Sequence, residues 1–266
     1  MAHARRFRFG IQLHNATSAA DWAEQARKAE DLGYDTLFMP DHFGEQLAPV
    51  PALQAAADAT TTLKVGALVF DNDYKHPVVL AKEMATLDVL SGGRLEFGIG
   101  AGWMKSDYDQ SGIPMDAPGV RVSRMEEGIA VLKGCFADGP FSFAGDHYQI
   151  TELNSLPKPV QRPGPPFLIG GGAKRVLSIA AREADIVGIN PNLRSGAVDK
   201  ETVADATAES FDQKVAWVRE AAGPRFDDLE LNLLVFVAVV TDDRQAMAEM
   251  LAGGFGVTPE AALSIP

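Results

Sequence analysis

The chain contains one cysteine, Cys135, among 266 residues. A single thiol excludes a disulfide framework and a cysteine-rich zinc site, and it suits a reducing compartment. No apolar run approaches the ~18 residues of a membrane span, and the arginine-bearing first ten residues lack a signal-peptide core, so a cytoplasmic protein without membrane association is expected. Positive charge is scarce: 24 Lys and Arg face 36 Asp and Glu, for a net charge of −12. Nucleic-acid binding depends on basic side chains that neutralise phosphates, so no nucleic-acid partner is expected. An anionic small molecule would need a local basic pocket or helix N-termini. G-x-S-x-G, Walker and HExxH patterns are also missing, which removes the commonest hydrolase and NTPase chemistries. What is present is a globular composition, 46% hydrophobic and 23% charged. Its length admits one large α/β barrel or two smaller domains.

Strand and helix signals alternate. Short apolar runs predict strands over 7–13, 36–39, 64–70, 94–100, 167–170, 186–190 and 231–240. Between them, helical spacing predicts helices over 18–32 behind a Ser18 cap, 52–61, 77–90, 120–135, 173–182, 208–222 and 242–251. The nearly continuous apolarity of KVGALVF (64–70) suits a strand buried on both faces of a parallel sheet. Residues 101–118 read as loop, 141–143 and 147–150 as a small hairpin, and the proline-dense LPKPVQRPGPP (156–166) as extended or irregular. Seven strand–helix units are one short of a closed (β/α)₈ barrel, and 253–266 holds no strand-like run.

Ligands of such sheets bind at the C-terminal strand ends, so the residues after each strand are the candidates. Asp41-His42 follows the second strand. His42 can exchange a proton near neutral pH, whereas a capping Asp beside a surface His is the structural alternative. His14 falls just past the first strand. Asp71-Asn72-Asp73 lacks the spacing of a calcium loop and reads as a solvated turn, so no metal is expected. Gly98-Ile99-Gly100-Ala101-Gly102-Trp103 misses the last glycine of a dinucleotide fingerprint; close approach by something flat, or tight packing, explains it better. Gly170-Gly171-Gly172 runs into a helix start with Lys174 and Arg175, the order that presents backbone N–H groups and a helix dipole to an anion. Cys135 reads as a buried structural thiol.

Together PDHFG (40–44), VGALVFDNDYKHP (65–77), LAKEMATLDVLSGGRLEFGIGAGW (80–103) and PPFLIGGGAKRVLSIAAREADIVGIN (165–190) resemble the bacterial luciferase-like monooxygenase superfamily, closest to its branch dependent on the deazaflavin coenzyme F420. The resemblance implies an α/β fold of TIM (β/α)₈ type, a single domain over 1–266 with an insertion at about 106–166, and a chain short of the last βα unit. It implies a reduced flavin or deazaflavin across the strand ends, with His42 as the catalytic group beside the ring and Asp41 as its neighbour. A non-proline cis peptide is implied at Leu68–Val69, with Ala67–Leu68 as the alternative. Gly100, Ala101 and Gly102 would flank the cofactor, Gly170, Gly171, Gly172, Lys174 and Arg175 would receive its phosphate, and His14 and Trp103 would line the substrate pocket. Trp103 stands where some deazaflavin dehydrogenases carry an acidic glutamate, which argues against a sugar-phosphate dehydrogenase. The implied function is hydride transfer between F420 and an organic small molecule. An FMNH₂-dependent two-component monooxygenase using O₂ is the alternative, and a shortened, inactive flavin-binding barrel is a third. A flavin or F420 reductase is the implied functional partner, and a homodimer is left open. Lys158 and Arg162 add partly to the positive charge that the acidic tail of F420 would need.

Overall fold

The computed structural model describes residues 6–236, 238–255 and 257–264. They form two compact units, one through Gly102 and over Ser111–Leu168, the other over Trp103–Gln110 and from Ile169 onward.

The first unit begins β1 (Gly10–Gln12), α1 (Ala19–Asp31), β2 (Thr36–Met39), α2 (Pro49–Ala59), β3 (Lys64–Ala67), β4 (Phe70–Asp71), α3 (Pro77–Leu90) and β5 (Leu95–Gly100). Ser18 starts α1 as its pattern predicts, its hydroxyl accepting the Asp21 N–H at 3.1 Å. The strands are parallel, with β1 beside β2, β2 beside β3 and β3 beside β5. The expected first strand over 7–13 shrinks to three residues, because Phe7 and Phe9 are exposed instead of alternating into a core. The expected continuous strand over 64–70 is interrupted at a cis Leu68–Val69 peptide, beyond which β4 pairs with β5, Phe70 against Ile99.

Side chains join these layers. Buried Glu96 on β5 accepts from Arg8 at 2.7 Å, Lys64 at 2.9 Å and Thr36 at 3.1 Å, drawing the N-terminal ends of three strands together. Arg94 donates to the carbonyls of Ser91, Leu63 and Ala57 at 2.8, 2.9 and 2.7 Å, the use of its fork that lysine could not reproduce. After α4 (Lys105–Ser111) come α5 (Pro118–Phe136) and the hairpin β6 (Phe141–Ala144) and β7 (Gln149–Leu153). The stretch 101–118 is therefore not all loop; α4 is a short polar helix whose apolar face is too narrow to register as a period. The proline-rich segment is held by buried Asp88, which accepts from the N–H groups of Val160 and Gln161 at 2.8 and 3.0 Å. It delivers Pro166, whose carbonyl receives the Phe97 N–H at 2.8 Å, and so starts β8 (Phe167–Gly171) beside β5, with the Phe97 and Phe167 rings 5.1 Å apart. Cys135 is buried, and burial pushes its thiol pKa up.

In the second unit β8 runs out through its glycines into α6 (Lys174–Glu183), followed by β9 (Ile186–Ile189), α7 (Lys200–Ala204), α8 (Ala208–Ala222), β10 (Glu230–Leu233), α9 (Arg244–Phe255) and α10 (Pro259–Ser264). β10 lies parallel to β9 and is the last strand in the order. The expected strand over 231–240 ends at Leu233; Leu231, Leu233, Val235, Phe236, Val239 and Val240 are exposed, and Val237 lies outside the described residues. The last predicted helix runs on to Phe255, and α10 is a short helix that the sequence pattern did not suggest. Strands and helices thus alternate as in a TIM-type α/β chain, with seven strand positions among the described residues once β4 is counted with β3. Among these residues no helix is long and apolar enough to cross a membrane.

Candidate active site

Four loops of the first unit meet at the C-terminal strand ends. Leu13 N–H donates to the Phe38 carbonyl at 3.0 Å, Leu68 N–H to the Met39 carbonyl at 2.8 Å and Asn72 N–H to the Gly100 carbonyl at 3.0 Å, so the chain leaves each strand beside its neighbour. Gln12 closes the first gap by donating its side-chain amide to the Leu68 carbonyl at 3.3 Å. Leu68 and Val69, singled out in the sequence, therefore sit between the ends of β1, β2 and β5. His14 is exposed, and its carbonyl accepts from Leu47 at 2.8 Å, joining its loop to the one that carries His42.

His42 is half-buried, and Phe43 beside it stacks on Tyr74 with ring centroids 4.6 Å apart. Asp41 serves the backbone: its Oδ2 accepts the Asp71 N–H at 3.1 Å, stapling the loop after β2 to the loop after β4. The acidic run is itself a set of staples. Asp71 accepts the Asp73 N–H at 2.9 Å, Asn72 donates to the Tyr148 hydroxyl at 3.2 Å, and Asp73 takes Arg124 at 2.9 Å. Arg124 also pairs with Asp116, and although burial works against its charge, the two carboxylates raise its pKa further. Tyr148 is buried against the edge of the His76 ring at 5.3 Å, and burial raises its phenol pKa. Gly102 has φ +73°, a conformation that side chains rarely adopt. The carbonyls of Ala101 and Gly102 both accept from buried Arg121, at 3.1 and 3.2 Å, and its third donor reaches the Asp116 carbonyl at 2.6 Å. Sequence reading missed Arg121, Arg124, Gln12 and Tyr148. The signal available was two arginines three apart at a proline-started helix, a spacing that places both on one face.

The second unit carries the other candidates. Half-buried Trp103 leads into α4, which is held by the Lys105 N–H donating to the Gly196 carbonyl at 3.1 Å. Gly171 and Gly172 are required by packing: a Cβ at Gly171 would lie 2.4 Å from Val176 Cγ1, and one at Gly172 would lie 2.4 Å from the Pro191 carbonyl oxygen. Gly170 precedes them on β8. The N-cap of α6 is Ala173, which offers no side-chain acceptor, and no acidic residue lies in the first turn. The helix start therefore has no side-chain cap from Ala173, and its dipole suits an anion. Arg175 is exposed, while Lys174 pairs with Glu220 at 3.2 Å on the surface. The Pro191 loop is held by Asp205, which accepts the Asn192 N–H at 2.7 Å and the buried Lys214 ammonium at 2.6 Å.

The family model for luciferase-like monooxygenases matches residues 2–263. Over 250 residues the chain is 32% identical to an FMNH(2)-dependent dimethylsulfone monooxygenase of Pseudomonas fluorescens (strain Pf0-1), across 90% of this chain and 64% of that protein. Over 173 residues it is 28% identical to an F420-dependent glucose-6-phosphate dehydrogenase of Amycolatopsis mediterranei (strain U-32), across 62% of this chain and 51% of that one. A solved structure of coenzyme F420-dependent tetrahydromethanopterin reductase from Methanopyrus kandleri superposes with a TM-score of 0.76 at 22% identity, covering 91% of this chain and 69% of that chain; it shows the fold alone. The chain spans about half the length of the curated relatives it matches.

Proposed function

Because the chain belongs to the luciferase-like monooxygenase family, we propose that it is an oxidoreductase that binds a reduced flavin-type ring at the ends of β1 to β5, with F420 as the cofactor and an organic small molecule as its partner in hydride transfer. The observation that supports this is that the loops after β3, β4 and β5 are fixed by side chains, Gln12 on the Leu68 carbonyl, Asp41 on the Asp71 N–H and Arg121 on the Ala101 and Gly102 carbonyls, while half-buried His42 follows β2 in the same unit. Backbone with a positive-φ glycine lets a flat ring come close, and side chains that staple loops fix that backbone in advance. When bound, the reduced deazaflavin supplies the hydride at C5. His42 is the proposed proton donor or acceptor to the substrate, since an imidazole nitrogen can give or take a proton. Trp103, as a flat apolar side chain, and His14 are the proposed substrate-lining residues.

In the second unit the proposed phosphate site is the Gly170–Gly172 turn with the first turn of α6. The glycine turn leading into a helix start without a side-chain cap at Ala173 supports this reading, with Arg175 as the nearby cation. Lys174 must first leave Glu220, a cost of about 0–1 kcal/mol for an exposed pair. The FMNH₂ monooxygenase fed by a separate reductase stands as a second reading, favoured by the 32% identity that extends over 90% of the chain.

Titrating the purified protein with oxidised F420 and, separately, with FMN tests both. Tighter F420 binding is expected. A preference for FMN of about tenfold, or ~1.4 kcal/mol, selects the second reading, and binding of neither overturns both. His42→Ala is expected to leave affinity within about threefold while removing the pH-dependent step from cofactor turnover; an unaltered pH profile would remove His42 from the chemistry.

A further inference from the structure

We propose that Arg121 is a positioning residue that fixes the Ala101–Gly102 peptide so that its N–H faces the bound ring. The inference deepens the cofactor reading above and rests on it for the identity of what lies on the far side of the peptide.

Arg121 Nε donates to the Ala101 carbonyl at 3.1 Å, Nη2 to the Gly102 carbonyl at 3.2 Å and Nη1 to the Asp116 carbonyl at 2.6 Å. The side chain sits in the first turn of α5 and is 7% exposed, a rare place for arginine unless its donors are satisfied. Satisfaction by carbonyls is informative because it turns the peptide. A trans peptide carries its C=O and N–H on opposite sides, so an Ala101 carbonyl bound to Arg121 sends the Gly102 N–H away from the guanidinium. A positive charge on the oxygen also withdraws electrons through the amide, which makes that N–H a stronger donor. The φ of +73° at Gly102 allows two successive carbonyls to reach one fork. Lysine could not hold three acceptors in this way, because it lacks the planar fork.

A reduced flavin or deazaflavin ring accumulates negative charge, and a strengthened donor facing it stabilises that form. Arg121 would thus act on the ring through the backbone, without touching it.

The test uses the full chain as Arg121→Lys and Arg121→Met. In the cofactor-free protein, amide deuterium exchange is followed in peptides covering 100–104, with melting curves to establish folding. Exchange in that segment is expected to quicken by about tenfold in Arg121→Met and by less in Arg121→Lys, with other segments unchanged. Affinity for whichever cofactor the wild type binds is expected to fall by about tenfold. The visible absorption change on binding should shrink, and the midpoint potential of the bound cofactor should move to more negative values. Wild-type exchange over 100–104, or wild-type affinity, spectrum and potential despite faster exchange, would overturn the proposal. Should Arg121→Met not fold, Arg121→Lys alone decides. If the wild type binds neither cofactor, the cofactor reading fails on its own, and a wild-type exchange pattern in the variants would show separately that Arg121 does not order the loop.

Discussion

At Gly98 there is no room for one more carbon. An added Cβ would lie 2.0 Å from the Ala67 carbonyl oxygen and 3.2 Å from Val69 Cγ1. The first neighbour is backbone at the end of β3, beside β5, and cannot yield without moving a strand. Gly98→Ala is expected to cost about 1–3 kcal/mol in denaturant unfolding, the range for overpacking. Gly119→Ala, where an added Cβ would meet nothing within 4 Å, should be neutral or stabilise by up to ~1 kcal/mol, since alanine favours the α5 helix. Equal stabilities for the two variants would refute the close-approach account. The same pair shows what a sequence can carry. The glycine-rich run 98–102 stood out, with packing and close ligand approach both open. Packing accounts for Gly98, while positive φ accounts for Gly102. The letter G does not distinguish them, because the difference lies in what an earlier strand, β3, places opposite.

Among the elements, α5 does the most to organise the first unit. Proline starts it, and its buried face was visible as helical spacing, but three polar residues on it carry structure that periodicity cannot show. Arg121 and Arg124 reach back to the loops after β5 and β4, and Glu127 reaches forward to the hairpin. The Glu127 carboxylate accepts the N–H groups of Asp146, His147 and Tyr148 at 2.8, 2.9 and 3.1 Å. Partial burial raises its pKa, but these three donors outweigh it and hold the pKa below the usual carboxylate range. Glu127→Gln should loosen the β6–β7 turn specifically, read as faster protease cleavage near 144–148 with the melting midpoint little changed; an unchanged cleavage pattern would count against the anchor. Such contacts escape a sequence reading for a physical reason. A charged residue on a helix is usually solvated, and only the fold reveals which one has backbone to satisfy. Helices and strands were legible wherever an apolar face repeats, as in α1, α3 and α8, and were missed where the element is short and polar, as in α4 and α7.

Over the whole molecule, the excess of acids gives stability a pH dependence. Glu30 on α1 accepts the N–H groups of Thr61, Thr62 and Leu63 at 2.9, 2.6 and 2.9 Å; burial opposes its ionisation, but these donors lower its pKa to about 2. Buried Glu96 is likewise held below its ordinary value, because Lys64 and Arg8 outweigh the cost of burial. A carboxyl whose folded pKa is depressed stabilises the fold fully above its unfolded value of 4.5 and loses that contribution as the pH falls toward its folded pKa. The melting midpoint should therefore hold between pH 7 and about 5 and fall steeply below. Glu30→Gln should cost about 1–2 kcal/mol at neutral pH, after allowance for solvent, and the gap from wild type should narrow by pH ~3. An equal gap at both pH values would show that the carboxylate charge plays no part. The acidic surface has a further consequence at β10, the last strand in the order among the described residues, and in the segment after it, where Leu231, Leu233, Val235, Phe236, Val239 and Val240 expose apolar strips to water. A net charge of −12 keeps such strips on different molecules apart. Added salt shortens the reach of that repulsion and leaves the strip's attraction intact, so concentrated stocks of this protein should stay clearest at low ionic strength.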